Sequence, residues 1–373
     1  MKKMIVLIFL LGATITAMAR DYRITFDQPE AETYQLAFAL DNYRIVQETH
    51  DGQTFSNLQF SSGVFVEKKG YARLPYVAAA VQLPPDRNVD LQISYSDYED
   101  VQLSDPFIPS RGVIYRCQDP DTIPYEIDPQ SIQDNWYPES QAKVNRPFIV
   151  RDVRGVSVYF YPFHYNAEKR ILRVYRNITV RLVENDEPPV NPLTHQPGNR
   201  LIETESLYNT MFVNYRASSD LHMEQYGDIL VITTARDETA IDAYIQWKRE
   251  KGFNVSKEVV ATGTMVKDLI QQKYNENPNL LYVQLVGDWE DVQSELGTSS
   301  NLPMDPDMGC VSGDDDFPDI AIGRFSAHSA DDVTLQVNKV INYEKTPVTG
   351  NNWFITATGI ASDQGPGDDN EYD

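Results

Sequence analysis

Cysteine is scarce in this chain, which has only Cys117 and Cys310 among its 373 residues. Two cysteines cannot build a disulfide framework, and they also exclude the zinc sites that use three or four cysteines. Positive charge is scarce as well: the sequence has 32 Lys and Arg residues but 55 Asp and Glu residues, which gives a formal net charge of −23. Because a surface this acidic repels phosphate backbones, we expect no nucleic-acid partner.

Long apolar runs are limited to the N-terminus. Lys2 and Lys3 precede the apolar segment 4–11, and Ala17-Met18-Ala19 offers a small-residue cleavage site after Ala19. This arrangement is typical of a secretory signal peptide, and the apolar segment is too short to span a bilayer. We therefore expect a signal peptide over residues 1–19, a secreted or cell-surface protein, and no transmembrane segment in the mature chain.

Residues 21 to about 183 alternate apolar and polar side chains and are rich in Tyr, Val and Ile, a pattern typical of half-buried strands. Turn sequences such as Asp51-Gly52 separate the alternating segments. The clearest predicted strands are 63–66, 91–95, 156–161, 171–175 and 178–183. The pattern predicts an antiparallel all-β domain, either a sandwich or a barrel. Residues 184–200 are rich in Pro, Asn and Glu and are predicted to be a linker, followed by a short amphipathic stretch at 206–215.

After Gly227 short apolar runs alternate with helical patterns, which predicts a doubly wound parallel sheet. The predicted strands are 228–233, 255–260, 281–286, 320–322 and 354–361, and the predicted helices are 237–251, 265–274 and 330–343. The sequence ends at Asp373, inside a loop that follows the last predicted strand. We therefore expect it to be part of a longer protein.

Acidic residues are concentrated in three loops of this second part, 287–291, 305–319 and 362–373. Ligands of open α/β sheets bind at the carboxyl ends of the strands, where we expect all three loops to lie. The middle loop carries six carboxylates, and Ca²⁺ relieves such repulsion with carboxylate and carbonyl ligands. Its spacing does not fit an EF-hand. Composition alone leaves a solvated acidic loop without metal as an equal alternative.

Candidate nucleophiles are few. Cys310 lies in the acidic loop, where neighbouring carboxylates raise the pKa of a thiol, so we interpret it as structural. Cys117 lies in the β-rich part and is expected to be inert. The sequence contains no nucleophile-elbow, P-loop, Rossmann or zinc-peptidase motif. The five histidines are His50, His164, His195, His222 and His328.

Six stretches of sequence are distinctive. They are GVIYRCQDPDTIPY at 112–125, PFIVRDVRG at 147–155, YNTMFVNYR at 208–216, YVQLVGD at 282–288, GCVSGDDDFPDIAIGRFS at 309–326 and GIASDQG at 359–365. In this order they resemble gingipain-type cysteine peptidase precursors, a secreted family with a caspase-like α/β catalytic domain. The resemblance covers nearly the whole chain after the signal peptide.

The resemblance implies a division of the chain at residue 216. Residues 20–216, here called the β half, would be a propeptide that assists folding and blocks the active site as an intramolecular partner. Residues 217–373, here called the α/β half, would be the N-terminal part of the catalytic domain. The expected substrates are proteins or peptides, cleaved after Arg ahead of Lys.

The resemblance also implies structural Ca²⁺. Carried over by position, the ligands would be the side chains of Asp288, Asp315 and Asp319 and the backbone carbonyls of Ser312 and Phe317. Asp319 stands where the family usually has a glutamate, so its shorter side chain reaches an ion less easily.

Substrate specificity is implied for the last loop. Arg-specific members select their substrate with an aspartate that corresponds here to Asp373, although the loop is two residues shorter than the family pattern. Asp368 and Asp369 therefore remain alternatives. A carboxylate in any of these positions can pair bidentately with a guanidinium group.

The β half is implied to present a basic side chain to that pocket. Arg116 fits this inhibitory position and Arg111 is the alternative, while an ordinary exposed arginine is equally compatible with the sequence. The expected processing site of the propeptide follows Arg216, with Arg200 and Arg236 as alternative cleavage sites.

The function expected from these observations is an exported zymogen of a gingipain-like cysteine endopeptidase. The catalytic His and Cys of the family lie beyond residue 373, and neither His328 nor Cys310 matches their positions, so no catalytic residue is assigned. Two other functions remain open: a non-catalytic secreted scaffold stabilised by calcium, and an unrelated hydrolase that uses the acidic loops as a metal centre.

Overall fold

The computed structural model describes residues 21–61, 64–115, 118–194, 201–216, 226–297 and 301–346. Within these ranges the β half is built from antiparallel strands, and the α/β half from parallel strands and helices. This confirms the predicted fold class, an antiparallel all-β domain followed by a caspase-like doubly wound parallel sheet.

Besides two short 3-10 helices at Pro120–Thr122 and Pro129–Ser131, the described residues of the β half form eleven strands and one α-helix. They are β1 (Tyr22–Glu30), β2 (Thr33–Leu40), β3 (Arg44–His50), β4 (Gln53–Gln59), β5 (Val77–Gln82), β6 (Asn88–Gln102), β7 (Ala142–Val144), β8 (Phe148–Val150), β9 (Val153–Phe160), β10 (Phe163–Asn166), β11 (Ile171–Asn185) and α1 (Ile202–Met211). The helix starts four residues before the predicted amphipathic stretch.

The first sheet is organised around β11. This strand pairs with β6 along its whole length and, on its other edge, with β2 and β10, while β1 pairs with β2. The segments predicted as two strands, 171–175 and 178–183, are therefore one strand of 15 residues. The strand predicted at 63–66 is wrong, because Phe65 makes only an isolated bridge with Pro75.

The second sheet of the β half is organised around β9. It pairs with β5 on one edge and with the short strands β7 and β8 on the other. Apolar side chains from the two sheets are buried against each other, and the rings of Phe38 and Phe160 stack with centroids 5.7 Å apart. The β half is therefore a sandwich, one of the two predicted forms.

The segment predicted as a linker is in part a fixed element of the β half. Arg154 of β9 is 1% exposed, and its guanidinium donates to the carbonyls of Pro84, Arg87, Val190 and Asn191 at 2.7–2.9 Å. These bonds hold the segment against the sandwich, so the prediction is wrong for residues 184–194. Residues 195–200 lie outside the described ranges.

The α/β half contains three helices and six strands in its described residues. They are β12 (Asp228–Thr234), α2 (Asp242–Glu250), β13 (Val255–Val260), β14 (Thr264–Met265), α3 (Lys267–Glu276), β15 (Leu280–Val286), β16 (Val292–Gln293), β17 (Ala321–Phe325) and α4 (Ala330–Lys345). The main sheet has the parallel order β13-β12-β15-β17, and the strand predicted at 354–361 lies outside the described residues.

Helices cover both faces of this parallel sheet, so the central strands are buried on both sides. Leu230 and Ile232 of β12 point toward α3, whereas Ile229 and Val231 point toward α2 and α4. Helix α2 begins five residues later than predicted, since residues 235–241 form turns around the buried Asp237. None of the helices in the described part of the chain has the length and apolar character needed to cross a membrane.

His164 gives the β half a testable pH dependence. The imidazole is fully buried, its Nε2 lies 3.1 Å from the carbonyl oxygen of Tyr161, and burial lowers its pKa to about 4. In the unfolded chain the His164 imidazole is protonated as the pH falls through 6.5, whereas in the folded chain it is protonated only near pH 4. His164 therefore contributes a loss of about 2 kcal/mol in stability between pH 7 and pH 5. Because the raised pKa of Asp319 acts in the opposite direction over this interval, the contribution of His164 is the difference between the unmodified chain and a variant without the imidazole.

Urea unfolding at these two pH values measures the loss. The control is His164→Gln, which removes the titrating group and should lose less stability over the same interval. Equal losses in the two proteins would contradict the assignment.

Candidate functional site

The carboxyl ends of the parallel strands meet at one edge of the sheet, where Arg236 connects three of them. Its guanidinium donates to Asp237 at 2.7 and 2.9 Å, to Asp291 at 2.8 and 3.1 Å, and to the carbonyl of Ala327 at 3.0 Å. These partners follow β12, β15 and β17. Arg236 therefore fixes the relative positions of the loops at the edge where ligands of α/β sheets bind.

Asp288 lies at the same edge, directly after β15. Its Oδ1 accepts bonds from the backbone N–H of Trp289 at 2.9 Å and the hydroxyl of Ser326 at 3.0 Å. Its Oδ2 lies 3.4 Å from Nε2 of the exposed His328. The Trp289 N–H above all holds the pKa of this carboxyl below its usual range. Asp288 therefore stays anionic at neutral pH and is available to a cationic group.

Only the beginning of the acidic loop 305–319 lies at this edge. Arg324 binds the carboxylate of Asp305 at 2.7 and 2.9 Å and the carbonyls of Gly287 and Asp288 at 3.1 and 3.2 Å. Its end must reach the start of β17, since a parallel strand begins at the opposite edge of the sheet. The placement of the whole loop at the carboxyl edge is therefore wrong for its second part.

Asp319 ends this loop at the amino edge and is 4% exposed. Its carboxylate accepts three backbone N–H groups, from Val311 at 2.8 Å, Ser312 at 2.7 Å and Arg151 at 2.7 Å. Burial raises the pKa of Asp319 to about 6, against the opposing effect of these three bonds. One donor, Arg151, belongs to the β half, so this carboxylate joins the two halves.

Asp315 makes a second connection of the same kind. It accepts bonds from the backbone N–H of Phe317 at 2.9 Å, the backbone N–H of Ile149 at 2.8 Å and the side-chain amide of Asn191 at 2.7 Å. The ring of Phe317 stacks on Phe148 with centroids 4.4 Å apart. Ile149, Asn191 and Phe148 all belong to the β half.

The five predicted calcium ligands do not fit one ion in this structure. Asp288 lies at the carboxyl edge and Asp319 at the amino edge, and the five residues of β17 between these edges span roughly 16 Å. Asp315 and Asp319 point at N–H donors, which a cation would have to displace. In the part of the chain that the structure describes, no group of three or more Asp, Glu, His or Cys side chains could hold a metal ion. Calcium binding stays a prediction of the resemblance.

The other predicted site residues are only partly described. Arg216 is exposed, as a processing site requires. Arg236 is wrong as an alternative cleavage site, because its side chain is bound between two carboxylates. Ala19, Arg116 and Asp373 lie outside the described residues, as do the alternatives Arg200, Asp368 and Asp369.

Arg111, the alternative inhibitory residue, is held within its own loop. Its guanidinium donates to the carbonyls of Pro120 and Ile123 and lies 4.7 Å from the centre of the Tyr125 ring. The predicted pocket residue Asp373 lies outside the described residues, so the inhibitory role of Arg116, with Arg111 as the alternative, stays a prediction of the resemblance.

The residues that connect the halves were not identified from the sequence, among them Arg151 and Asn191. Arg151 is 1% exposed, and its guanidinium donates to the carbonyls of Leu280, at 2.6 Å, and Pro278. Arg151 is followed by Asp152 in a two-residue turn, a sequence that is equally typical of an exposed turn, so no local signal identifies its partners. Asn191 was hidden in the segment predicted to be a linker.

Comparison with known proteins matches both halves of the chain. The family model Propeptide_C25 matches residues 21–220, and the model Peptidase family C25 matches residues 222–373. Gingipain R2 of Porphyromonas gingivalis (strain ATCC BAA-308 / W83) is 28% identical over 362 residues, which are 94% of this chain and 49% of that protein. Lys-gingipain HG66 of the same species is 21% identical over 399 residues, 97% of this chain and 22% of that protein.

A solved complex of Porphyromonas gingivalis RgpB pro- and mature domains is 27% identical, with a TM-score of 0.47 over 53% of this chain and 100% of that chain. The chain spans about half the length of Gingipain R2. The propeptide model alone covers more than half of the chain, and the peptidase model follows it directly. The chain therefore belongs to the precursors of peptidase family C25, with a propeptide followed by peptidase-domain residues.

Proposed function

We propose that the chain is the propeptide and the first part of the catalytic domain of an exported cysteine endopeptidase that cleaves after Arg ahead of Lys. The observation that carries this proposal is the contact between the halves. Strand β8 of the propeptide is bound by carboxylates of the peptidase half. A propeptide docked on its own peptidase domain is what a latent zymogen requires.

The preference for Arg has two supports. The chain is 28% identical to Gingipain R2 but only 21% identical to Lys-gingipain HG66. Its last loop is also rich in aspartate, including Asp373, which the resemblance assigns as the specificity aspartate, with Asp368 and Asp369 as alternatives. A carboxylate in the pocket would bind a guanidinium with two parallel hydrogen bonds, which an ammonium group cannot match.

The chemistry proposed for the complete protein is nucleophilic. A thiolate attacks the peptide carbonyl, and a histidine protonates the leaving amine, so the peptide bond breaks as a thioester forms; water then hydrolyses the thioester. Among the described residues we assign neither group. Their expected place is the carboxyl edge, where Arg236 holds the loops and Asp288 supplies negative charge.

Cys310 is not the nucleophile of this reaction. Burial raises the pKa of its thiol to about 11, with further contributions from Asp319, Asp307 and Asp315. A thiol with this pKa carries almost no thiolate at neutral pH. The direction agrees with the sequence-based interpretation of Cys310 as a structural residue. His328 contacts Asp288 at the carboxyl edge, so it does not activate Cys310.

The proposal is tested with the complete natural protein. We expect its sequence beyond Asp373 to supply a histidine and a cysteine at strand ends, and peptidase activity to appear when the β half is removed. Iodoacetamide should abolish that activity, and kcat/KM should be higher for Arg than for Lys substrates. A continuation without this pair, or activity that resists alkylation, would favour the non-catalytic scaffold or a different hydrolase.

Structural calcium is part of the proposal only through the family resemblance. Melting temperatures of the complete protein in millimolar Ca²⁺ and in chelator test it, because an ion that binds the native state raises the melting temperature. Equal melting temperatures would remove calcium from the proposal.

The reactivity of Cys310 can be measured in the present chain. We expect iodoacetamide at pH 8 to alkylate Cys310 about a hundredfold more slowly in the folded protein than in urea, since only the thiolate reacts. Mass spectrometry of the peptide that contains Cys310 gives both rates. Alkylation at the same rate in both states would mean that the thiol is not suppressed by its surroundings.

A further inference from the structure

Strand β8 has one edge that its own sheet does not cover. It pairs with β9 from Phe148 to Val150, and this pairing occupies one edge only. The N–H groups of Ile149 and Arg151 point to the other side, where they donate to Asp315 and Asp319. An edge strand with free N–H groups is a template for pairing with another chain. Here two carboxylates of the peptidase half take the place of a neighbouring strand.

The turn after β8 inserts a charged side chain into the peptidase half. Arg151 and Asp152 form a two-residue turn between Val150 and Val153. The Arg151 guanidinium reaches the carbonyls of Pro278 and Leu280, at the start of β15. Its centre lies 5.9 Å from the ring of Tyr274, and its Nε lies 3.3 Å from Asp152.

The backbone at Arg151 adopts a conformation that favours glycine. Its φ is +54°, in the left-handed region, and a glycine would adopt this conformation without strain. Within the β half alone, the turn conformation does not require an arginine at this position. An arginine here is compensated by contacts with the other half of the protein, because its guanidinium binds two carbonyls there.

All of these contacts lie at the amino edge of the parallel sheet. Asp319 precedes β17, and Pro278 and Leu280 lie at the beginning of β15. Substrates of α/β enzymes bind at the opposite, carboxyl edge. The docking of β8 is therefore spatially separate from any residue that blocks the substrate pocket.

We propose that β8 and Arg151 form a docking anchor that holds the propeptide on the peptidase domain independently of the substrate-binding edge, before and after the connection between the halves is cut. This proposal rests on the proposed function, because it assigns the two halves the roles of propeptide and peptidase. The partner of the anchor is the peptidase half itself, with Asp315 and Asp319 as acceptors.

The test measures how tightly the cut halves stay together. The 373-residue chain is cleaved after the exposed Arg216 with a limiting amount of an arginine-specific protease, and dissociation is followed by sedimentation over a dilution series. We expect Asp319→Asn and Asp315→Asn each to raise the dissociation constant about tenfold or more, because each places an amide donor against N–H donors and removes a charged acceptor.

The matched control is Asp316→Asn, the same chemical change at an exposed position of the same loop. It should dissociate as the unmodified chain does. Arg151→Gly separates docking from folding, because it relieves the left-handed backbone and keeps the N–H but removes the guanidinium. It should leave the thermal stability of the β half unchanged or higher and still weaken the association of the halves.

Several results would overturn the anchor. Dissociation constants of Asp319→Asn, Asp315→Asn and Arg151→Gly equal to that of Asp316→Asn would do so, as would halves that separate immediately after cleavage in the unmodified chain. If the complete protein lacks the catalytic pair, the proposed function fails while these dissociation constants remain as expected. If the pair is present and the constants do not change, only the anchor fails.

Discussion

Two aspartate carboxylates, Asp315 and Asp319, connect the two halves of this protein. Each accepts three N–H donors, and each set of donors includes groups from both halves. Hydrogen bonds to an ionised acceptor are stronger than neutral ones, and a buried carboxylate without donors costs several kcal/mol. If the sandwich moved away from the parallel sheet, the carboxylates of Asp315 and Asp319 would lose their donors from the β half. The relative position of the two halves therefore depends on these hydrogen bonds.

Four arginines connect segments that are distant in the sequence. Arg154 fixes the segment around Asn191 to the sandwich, Arg151 enters the peptidase half, and Arg236 and Arg324 bind the loops at the carboxyl edge. Each guanidinium binds several acceptors at once, which its planar group of five donors allows. These four side chains therefore hold separate segments of the chain together.

Much of the architecture followed from the sequence because it is encoded locally. The strand 255–260 was predicted with its observed bounds, and 228–233 differs from β12 by one residue, since buried parallel strands are short continuous apolar runs. The linker prediction is wrong for residues 184–194 because their Pro and Asn content is typical of a linker. What holds them is Arg154, some 30 residues earlier in the chain, and no local pattern reports such a contact.

The acidic loop shows the limit of composition as evidence. Carboxylates concentrated in a loop are compatible with calcium, with solvent or with backbone donors, and only the neighbours of Asp315 and Asp319 distinguish these cases. The sheet topology also mattered, because a loop that leads into a parallel strand must return to the amino edge. The resemblance to a family identified the two halves, but it could not show that β8 and the loop meet.

Hydrogen exchange of the amides of Ile149 and Arg151 in the uncut chain tests the docking of the halves most directly. If the carboxylates of Asp315 and Asp319 hold these N–H groups, both amides should exchange as slowly as those of buried strands such as β9, although they lie on the outer edge of β8. Exchange as fast as that of exposed loop amides would contradict the account, because the edge of β8 would then be open to solvent.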